Sequence, residues 1–233
     1  MKKLAKIRSA LADGVSVSPQ KAASLFKTDS GCYAAHDQFI GVTVPTIRKI
    51  AKQFDSLQLG DLQGLLTSSI NEERFLALII LIMQYQKSDL VQREKLYQFY
   101  VDHLQHINNW NLVDASAHWI IGAHLFDKDR CLLEQLAQSD NLWSRRIAMV
   151  ATWYFIRQND IVWTFKIATQ LLADQEDLIH KAVGWMLREA GKRDESALTQ
   201  FLNKYASIMP RVMLRYAIEK LSPTIRQQYL AMR

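Results

Sequence analysis

Apolar residues recur every three or four positions along almost the whole chain, the period of helices that bury one face. This spacing predicts helices over Met1–Asp13, from the Ser18-Pro19 start to about Lys27, and from a first turn holding Pro45 to Lys52. Ser18 is the N-cap type and Pro19 suits the first helical position. Further helices are expected at about Gln58–Thr67, Asn71–Gln86, Asp89–Asp102 and Trp110–Phe126. The second half continues with Lys128–Gln138, Asn141–Gln158, Ile161–Leu172 and Glu176–Arg193, then Glu195–Tyr205, Pro210–Lys220 and Pro223–Met232. Phe39 to Val44 is strand-like in composition, but no second strand offers itself as a partner. A tight turn at Gly41 leading into the Pro45 helix is expected instead. Thr28 to His36 reads as an irregular, glycine-containing link. The linkers are short, which makes successive helices antiparallel neighbours. No Pro/Ser-rich boundary divides the chain, so one all-α domain over 1–233 is expected.

A repeat shows through this pattern. Arg74-Phe75-Leu76-Ala77, Arg145-Arg146-Ile147-Ala148 and Lys181-Ala182-Val183-Gly184 each set a basic residue three before a small one, just inside a long helix. They are 71 and 36 residues apart, close to a two-to-one ratio. Two helices per unit at that period predict an α-solenoid of the HEAT or armadillo kind, built from stacked antiparallel helix pairs. Small residues let neighbouring pairs approach closely. Basic residues recurring at one depth would line a concave groove suited to a duplex rod.

Composition narrows the function. Of 233 residues 49% are hydrophobic and 22% charged, enough for a core and too apolar for a disordered chain. The longest apolar run, Leu76 to Met83, is too short to span a bilayer, and Lys6 and Arg8 interrupt any signal-peptide pattern at the start. A cytoplasmic protein with no membrane partner is expected. Cys32 and Cys131 are isolated, the six histidines form no ligand pair, and no glycine-rich phosphate loop occurs, so neither metal nor nucleotide cofactor is expected. A net charge of +6 favours a polyanionic partner.

Candidate chemistry gathers at Asn108-Asn109-Trp110-Asn111-Leu112-Val113-Asp114. Asn108 or Asn109 can cap the helix, while Leu112, Val113 and Ala117 supply its buried side. Trp110 and Asp114 are four apart and share a face. An indole beside a carboxylate near a positive helix end suits a cationic sugar or base. The same pair also reads as a core tryptophan with an acid favoured in a first turn. Arg48, Lys49 and Lys52 make one side of the Pro45 helix basic. Lys181, Arg188, Lys192 and Arg193 recur at helical spacing and could follow a phosphate strand, or form an ordinary solvated face.

With Leu142-Trp143-Ser144-Arg145-Arg146-Ile147-Ala148 and His180-Lys181-Ala182-Val183-Gly184-Trp185-Met186-Leu187-Arg188-Glu189 following in order, the sequence resembles the AlkD-like HEAT-like-repeat DNA glycosylases. Gly41-Val42-Thr43-Val44-Pro45-Thr46-Ile47-Arg48-Lys49-Ile50 is similar to that family's N-terminal motif. The resemblance runs from about Phe39 to Met232; residues 1–38 match the family less well.

The resemblance implies a C-shaped helical stack around duplex DNA containing alkylated purines. The implied reaction is hydrolysis of the N-glycosidic bond of purines made cationic by alkylation at ring positions three or seven, without extruding the base. By motif match the catalytic set falls on Asp114, Trp110, Trp185 and Arg146, with Arg146 preferred to Arg145 by its distance to Trp185. Further DNA contacts are expected from Arg145, Lys181, Arg188, Arg48, Lys49 and Lys52. Trp185 could equally be a core residue, and Arg146 could pair with an acid such as Asp140. Trp119, Trp143, Trp153 and Trp163 are expected in the core. No cofactor is implied, and a monomer is expected. The alternative is a non-catalytic solenoid that binds damaged or branched DNA.

Overall fold

The computed structural model describes residues 2–232; Met1, where the first helix is expected to begin, lies outside them. Among the described residues all regular structure is helical, with two isolated bridges, Val15 to Val42 and Gln38 to Ile70. No helix among them is long and apolar enough to cross a membrane. The chain forms two compact units, one ending at Ser116 and the other beginning at Ala117.

The first unit holds α1 (Lys2–Asp13), α2 (Pro19–Ala23), α3 (Val44–Gln53), α4 (Leu59–Leu66), α5 (Asn71–Lys87), α6 (Leu90–Asp102) and α7 (Trp110–Ala117) up to its last residue. Helix α5 is its axis. The run Leu76 to Ile82 is apolar all round, so the helix must be covered on every side, and α3, α4 and α6 pack against it. Even its polar first turn, Asn71-Glu72-Glu73-Arg74, is buried. Each of those charges has a partner there: Arg8 donates to both Glu73 oxygens at 2.9 and 3.1 Å, holding α1 to α5. Glu72 accepts from the backbone N–H of Ile40 at 3.1 Å and of Gly41 at 2.8 Å. The turn expected at Gly41 is present, at φ +92°, and a Cβ there would stand 2.0 Å from the Val17 carbonyl oxygen. Only glycine meets both demands. The Gly41 carbonyl in turn accepts from Ser16 and Val17, which fixes the segment leading into α2.

The second unit holds a π-helical turn (His118–Gly122), α8 (Ala123–Leu125), α9 (Cys131–Ala137), α10 (Leu142–Arg157), α11 (Val162–Gln170), α12 (Asp177–Gly191), α13 (Glu195–Tyr205), α14 (Arg211–Ala217) and α15 (Pro223–Ala231). Helix α10 packs on the π turn and on α12, and α12 on α14; alongside, α9 packs on α11. Phe165 and Phe201, with ring centroids 5.3 Å apart, join α11 to α13. Two close helix crossings share one geometry. A Cβ on Gly122 would meet Ala151 O at 2.2 Å and Tyr154 Cβ at 2.8 Å; on Gly184 it would meet Met213 O at 2.4 Å and Tyr216 Cβ at 2.5 Å. Both glycines thus touch residues 29 and 32 positions later. Ion pairs follow the same reach, 30 residues from Arg130 to Asp160, 29 from Arg145 to Asp174 and 31 from Arg188 to Glu219.

Two elements differ from expectation. The helix from Trp110 does not run unbroken to Phe126, because the π turn at His118–Gly122 interrupts it. A π turn adds one residue to a single turn, and that shift of register is hidden here because His118, Ile120, Ile121 and Gly122 are all buried. Helix α2 ends at Ala23 rather than near Lys27, with Ser24 Oγ donating to the Lys21 carbonyl at 2.8 Å. The chain then turns Phe26 inward.

Candidate functional site

The start of α7 is held by a buried polar network. Asn109, fully buried, accepts from the Trp110 N–H at 2.7 Å through Oδ1 and donates from Nδ2 to Asp37 Oδ2 at 2.5 Å. Its carbonyl accepts from Leu112 and Val113 at 3.1 Å, so Asn109 rather than Asn108 opens the helix. Asp37, its side chain 0% exposed, also accepts from Asn71 Nδ2 at 2.9 Å and pairs with Arg74. Asn71 Oδ1 accepts from Asn111 Nδ2 at 2.7 Å. One carboxylate in the link before α3 therefore ties the first turn of α5 to the first turn of α7. Behind the helix, Tyr100 shares a 2.8 Å hydrogen bond with Ser116, whose hydroxyl donates to the Leu112 carbonyl at 2.6 Å. Burial pushes the Tyr100 phenol far above its ordinary range, partly offset by Ser116, so this support stays neutral.

Held this way, half-buried Trp110 and Asp114 both face one cavity of about 610 Å³ inside the first unit. The opposite wall comes from the segment around α2. Phe26 stacks on Trp110 with centroids 5.1 Å apart at 24°, and on Phe39 at 4.6 Å and 21°, so three rings stand in a near-parallel row. Leu25, Val44 and Phe75 add aliphatic and aromatic surface, and the charged side chains on the wall are Lys21, Glu72 and Asp114. One indole face of Trp110 is thus covered by Phe26. Sequence reasoning assigned neither Phe26 nor Asp37 a role. The local signal was thin, a single aromatic after a short helix and a single acid in an irregular link.

The other two residues of the motif set belong to the second unit. Trp185 on α12 is half-buried and meets Trp153 edge-on, centroids 5.0 Å apart at 61°. Trp153 lies 4.6 Å from the His118 ring, which lies 5.0 Å from Trp119. Of the four tryptophans expected in the core, Trp143 is buried, whereas Trp119, Trp153 and Trp163 are half-buried. Cations cover two of these: Arg157 sits 4.8 Å over Trp119 and Lys166 4.2 Å over Trp163. Arg146 on α10 is 5% exposed and donates from Nη1 to the Leu178 carbonyl.

The expected basic residues divide into two kinds. Arg48, Lys49 and Lys52 on α3 are exposed. Arg145 donates from Nε to Asp174 at 2.6 Å and from Nη1 to the carbonyls of Ser139 and Asp140 at 3.0 and 2.9 Å. Lys181 pairs with Asp177 at 2.6 Å, and Arg188 pairs with Glu219 and with Glu189. Arg74, first of the repeated basic residues, is buried against Asp37. The basic residues recurring at helix starts, Arg74, Arg145 and Lys181, each meet an acid. Among the described residues no group of His, Cys, Asp and Glu side chains is arranged to hold a metal ion.

A helical protein with an aromatic cavity and a carboxylate on its wall fits several families; residues 17–221 match the model of one, the DNA alkylation repair enzymes. The chain belongs to that family. The match begins at Val17 and so takes in α2 and Phe26, ahead of Phe39, where the resemblance read from the sequence starts. A solved structure described as a predicted DNA alkylation repair enzyme from Enterococcus faecalis shares the fold, with a TM-score of 0.69 at 15% identity over 88% of this chain and 95% of that one. No curated protein matches the sequence.

Proposed function

We propose that this DNA alkylation repair protein is a monofunctional glycosylase that hydrolyses the N-glycosidic bond of purines carrying a positive charge from alkylation at N3 or N7 in duplex DNA. The observation that carries the reading is the pairing of Trp110 and Asp114 on the wall of one aromatic cavity. A cationic purine leaves readily: the C–N bond breaks with its electron pair going to the base, which departs neutral, so no general acid is required. Positive charge then grows on the deoxyribose. Asp114 stabilises that charge and orients the water that captures it, the water's proton passing to the carboxylate or to solvent. Trp110 favours the cationic state through its ring face; the resemblance gives the same part to Trp185 and a phosphate to Arg146, whose burial against the Leu178 carbonyl suits it instead to holding α12, the helix that carries Trp185. No lysine stands at a motif position to act as an amine nucleophile, so strand nicking is not expected. On the resemblance alone the lesion would stay in the duplex stack.

The same reading takes the chain as one domain of HEAT-like repeats over 1–233, acting as a monomer. The 29- and 32-residue recurrence of glycine contacts in the second unit supports such a repeat. Exposed Arg48, Lys49 and Lys52 supply sequence-independent attraction to DNA.

Release of free base from methylated duplex DNA by wild type and by Asp114→Asn tests the reading. Wild type should free methylated purines. The variant, which removes a charge and keeps the shape, should be slower by roughly a hundredfold or more while still binding DNA. If neither frees base while both bind, the protein is a non-catalytic DNA-binding member of the family.

A further inference from the structure

Helix α12 carries Trp185, and the crossing of α12 on α10 decides where that ring stands. The close crossings at Gly122 and Gly184 leave no room for a side chain: a Cβ would come within 2.2 and 2.4 Å of the carbonyl oxygens of Ala151 and Met213. Trp153 lies 31 residues after Gly122 and 31 before Gly184, so it holds the corresponding place between α10 and α12. A place that is glycine on either side is here filled by the bulkiest of side chains. Interaxial distance follows the side chains at the contact, so an indole keeps α12 off α10. The Trp153 ring meets the Trp185 ring at 5.0 Å and 61°, and the His118 ring, 4% exposed, lies 4.6 Å from Trp153. Seven residues before Trp153, and so on the same face of α10, Arg146 donates to the carbonyl of Leu178, seven residues before Trp185. Two contacts about 10 Å apart along the helix fix both the spacing and the tilt of α12.

We propose that Trp153 is a positioning residue for Trp185: it props α12 at the depth where the neighbouring helices touch, and its edge-to-face contact fixes the plane of the Trp185 indole. The proposal rests on the reading that gives the Trp185 ring face to the positive charge growing on the sugar. Orientation matters there because an aromatic ring is negative over its face and positive at its edge. A face presented to the charge attracts it, whereas a ring free to turn presents its edge for part of the time and loses the effect. Trp153 has no such part by itself; it acts through Trp185.

Single-turnover release of base from methylated duplex DNA by the full chain, measured beside DNA affinity, tests this. Trp153→Leu, at a half-buried position, keeps an apolar filling and removes the ring. It should slow release roughly tenfold or more while affinity stays within about twofold, and Trp153→Phe should recover most of the rate. Trp153→Met, also without a ring, repeats the test should the leucine variant fail to fold. Trp163→Leu, the same change at another half-buried tryptophan, should leave the rate alone. In a Trp185→Ala background Trp153→Leu should cost nothing further, because the two residues act as one unit. The ring itself is read by fluorine NMR of the chain labelled with 5-fluorotryptophan, the Trp185 signal being assigned by its loss in Trp185→Phe. Trp153→Leu should broaden or split that signal, as a ring released among rotamers does, and Trp153→Phe should keep it single. A Trp185 signal that stays single and sharp without the Trp153 ring, or losses that multiply in the double variant, would overturn the proposal. So would an active enzyme indifferent to Trp185→Ala. A wild type that frees no base removes the glycosylase reading instead, and the fluorine signal still decides whether Trp153 holds Trp185.

Discussion

Asp37→Asn should destabilise the first unit severely, although it changes one oxygen to a nitrogen. The native carboxylate is fully buried and all its neighbours are donors: Arg74 at Oδ1, and Asn71 Nδ2 and Asn109 Nδ2 at Oδ2, with His36 Nε2 3.1 Å from Oδ1. A carboxamide must aim its NH2 either at the guanidinium or at the two asparagine amides, so donors face donors in each rotamer. Arg74, 4% exposed, would also lose its counter-ion. Removing one partner of a buried ion pair costs about 3–5 kcal/mol, a large share of the roughly 5–15 kcal/mol that holds a domain together. Because Asn109 holds the Trp110 N–H, base release should fall as well. Urea unfolding followed by circular dichroism and tryptophan fluorescence measures the change as a lower midpoint at similar slope. Arg74→Met added to Asp37→Leu should recover only part of the loss: it removes the stranded guanidinium but leaves the buried Asn71 and Asn109 amides without their acceptor. If Asp37→Asn stays within about 1 kcal/mol of wild type, the network does not hold α7 as described.

Gly184→Ala places a Cβ 2.4 Å from the Met213 carbonyl and 2.5 Å from Tyr216 Cβ. The propensity gain of about 1 kcal/mol is outweighed by forcing α12 from α14, so thermal unfolding should begin earlier rather than later. Arg145→Met leaves Asp174, 5% exposed, without its guanidinium. It should therefore cost about 3–5 kcal/mol in urea unfolding with little change in the salt slope of DNA affinity. Lys49→Met, on exposed α3, should do the opposite: stability unchanged, salt slope shallower by about one ion. His106 is held below its ordinary value of 6.5 by burial first, then by His103 and Arg74. The unfolded chain therefore binds this proton more readily, so its contribution to stability is fully present above about pH 6.5 and lost as pH falls towards the lowered value. His106→Gln should flatten that part of the stability profile measured by urea titration.

Most of the helical order was legible because burial of one helix face writes a period of three to four into any sequence. Pro19, Pro45 and Gly41 marked turns for reasons of backbone geometry alone, and the structure has them there. A close helix crossing was legible at Gly184, where a small residue stands inside an apolar helix. The Trp110–Asp114 pair could be set on one face by spacing alone. What the sequence did not contain was the partner of each charge. Arg145 and Arg188 look alike as text whether they meet phosphate or acids 29 to 31 residues on, and pairing is decided by which helix stacks on which. Asp37 and Phe26 carry no periodic signal, since each lies in an irregular segment whose path is set by distant contacts: Glu72 on the Gly41 turn, Arg74 on Asp37. Local pattern thus determined the helices, their caps and the face on which Trp110 and Asp114 lie. Tertiary packing decided that Phe26 covers Trp110 and that a cavity stands beside Asp114, because enclosing a space takes walls brought together from residues far apart along the chain.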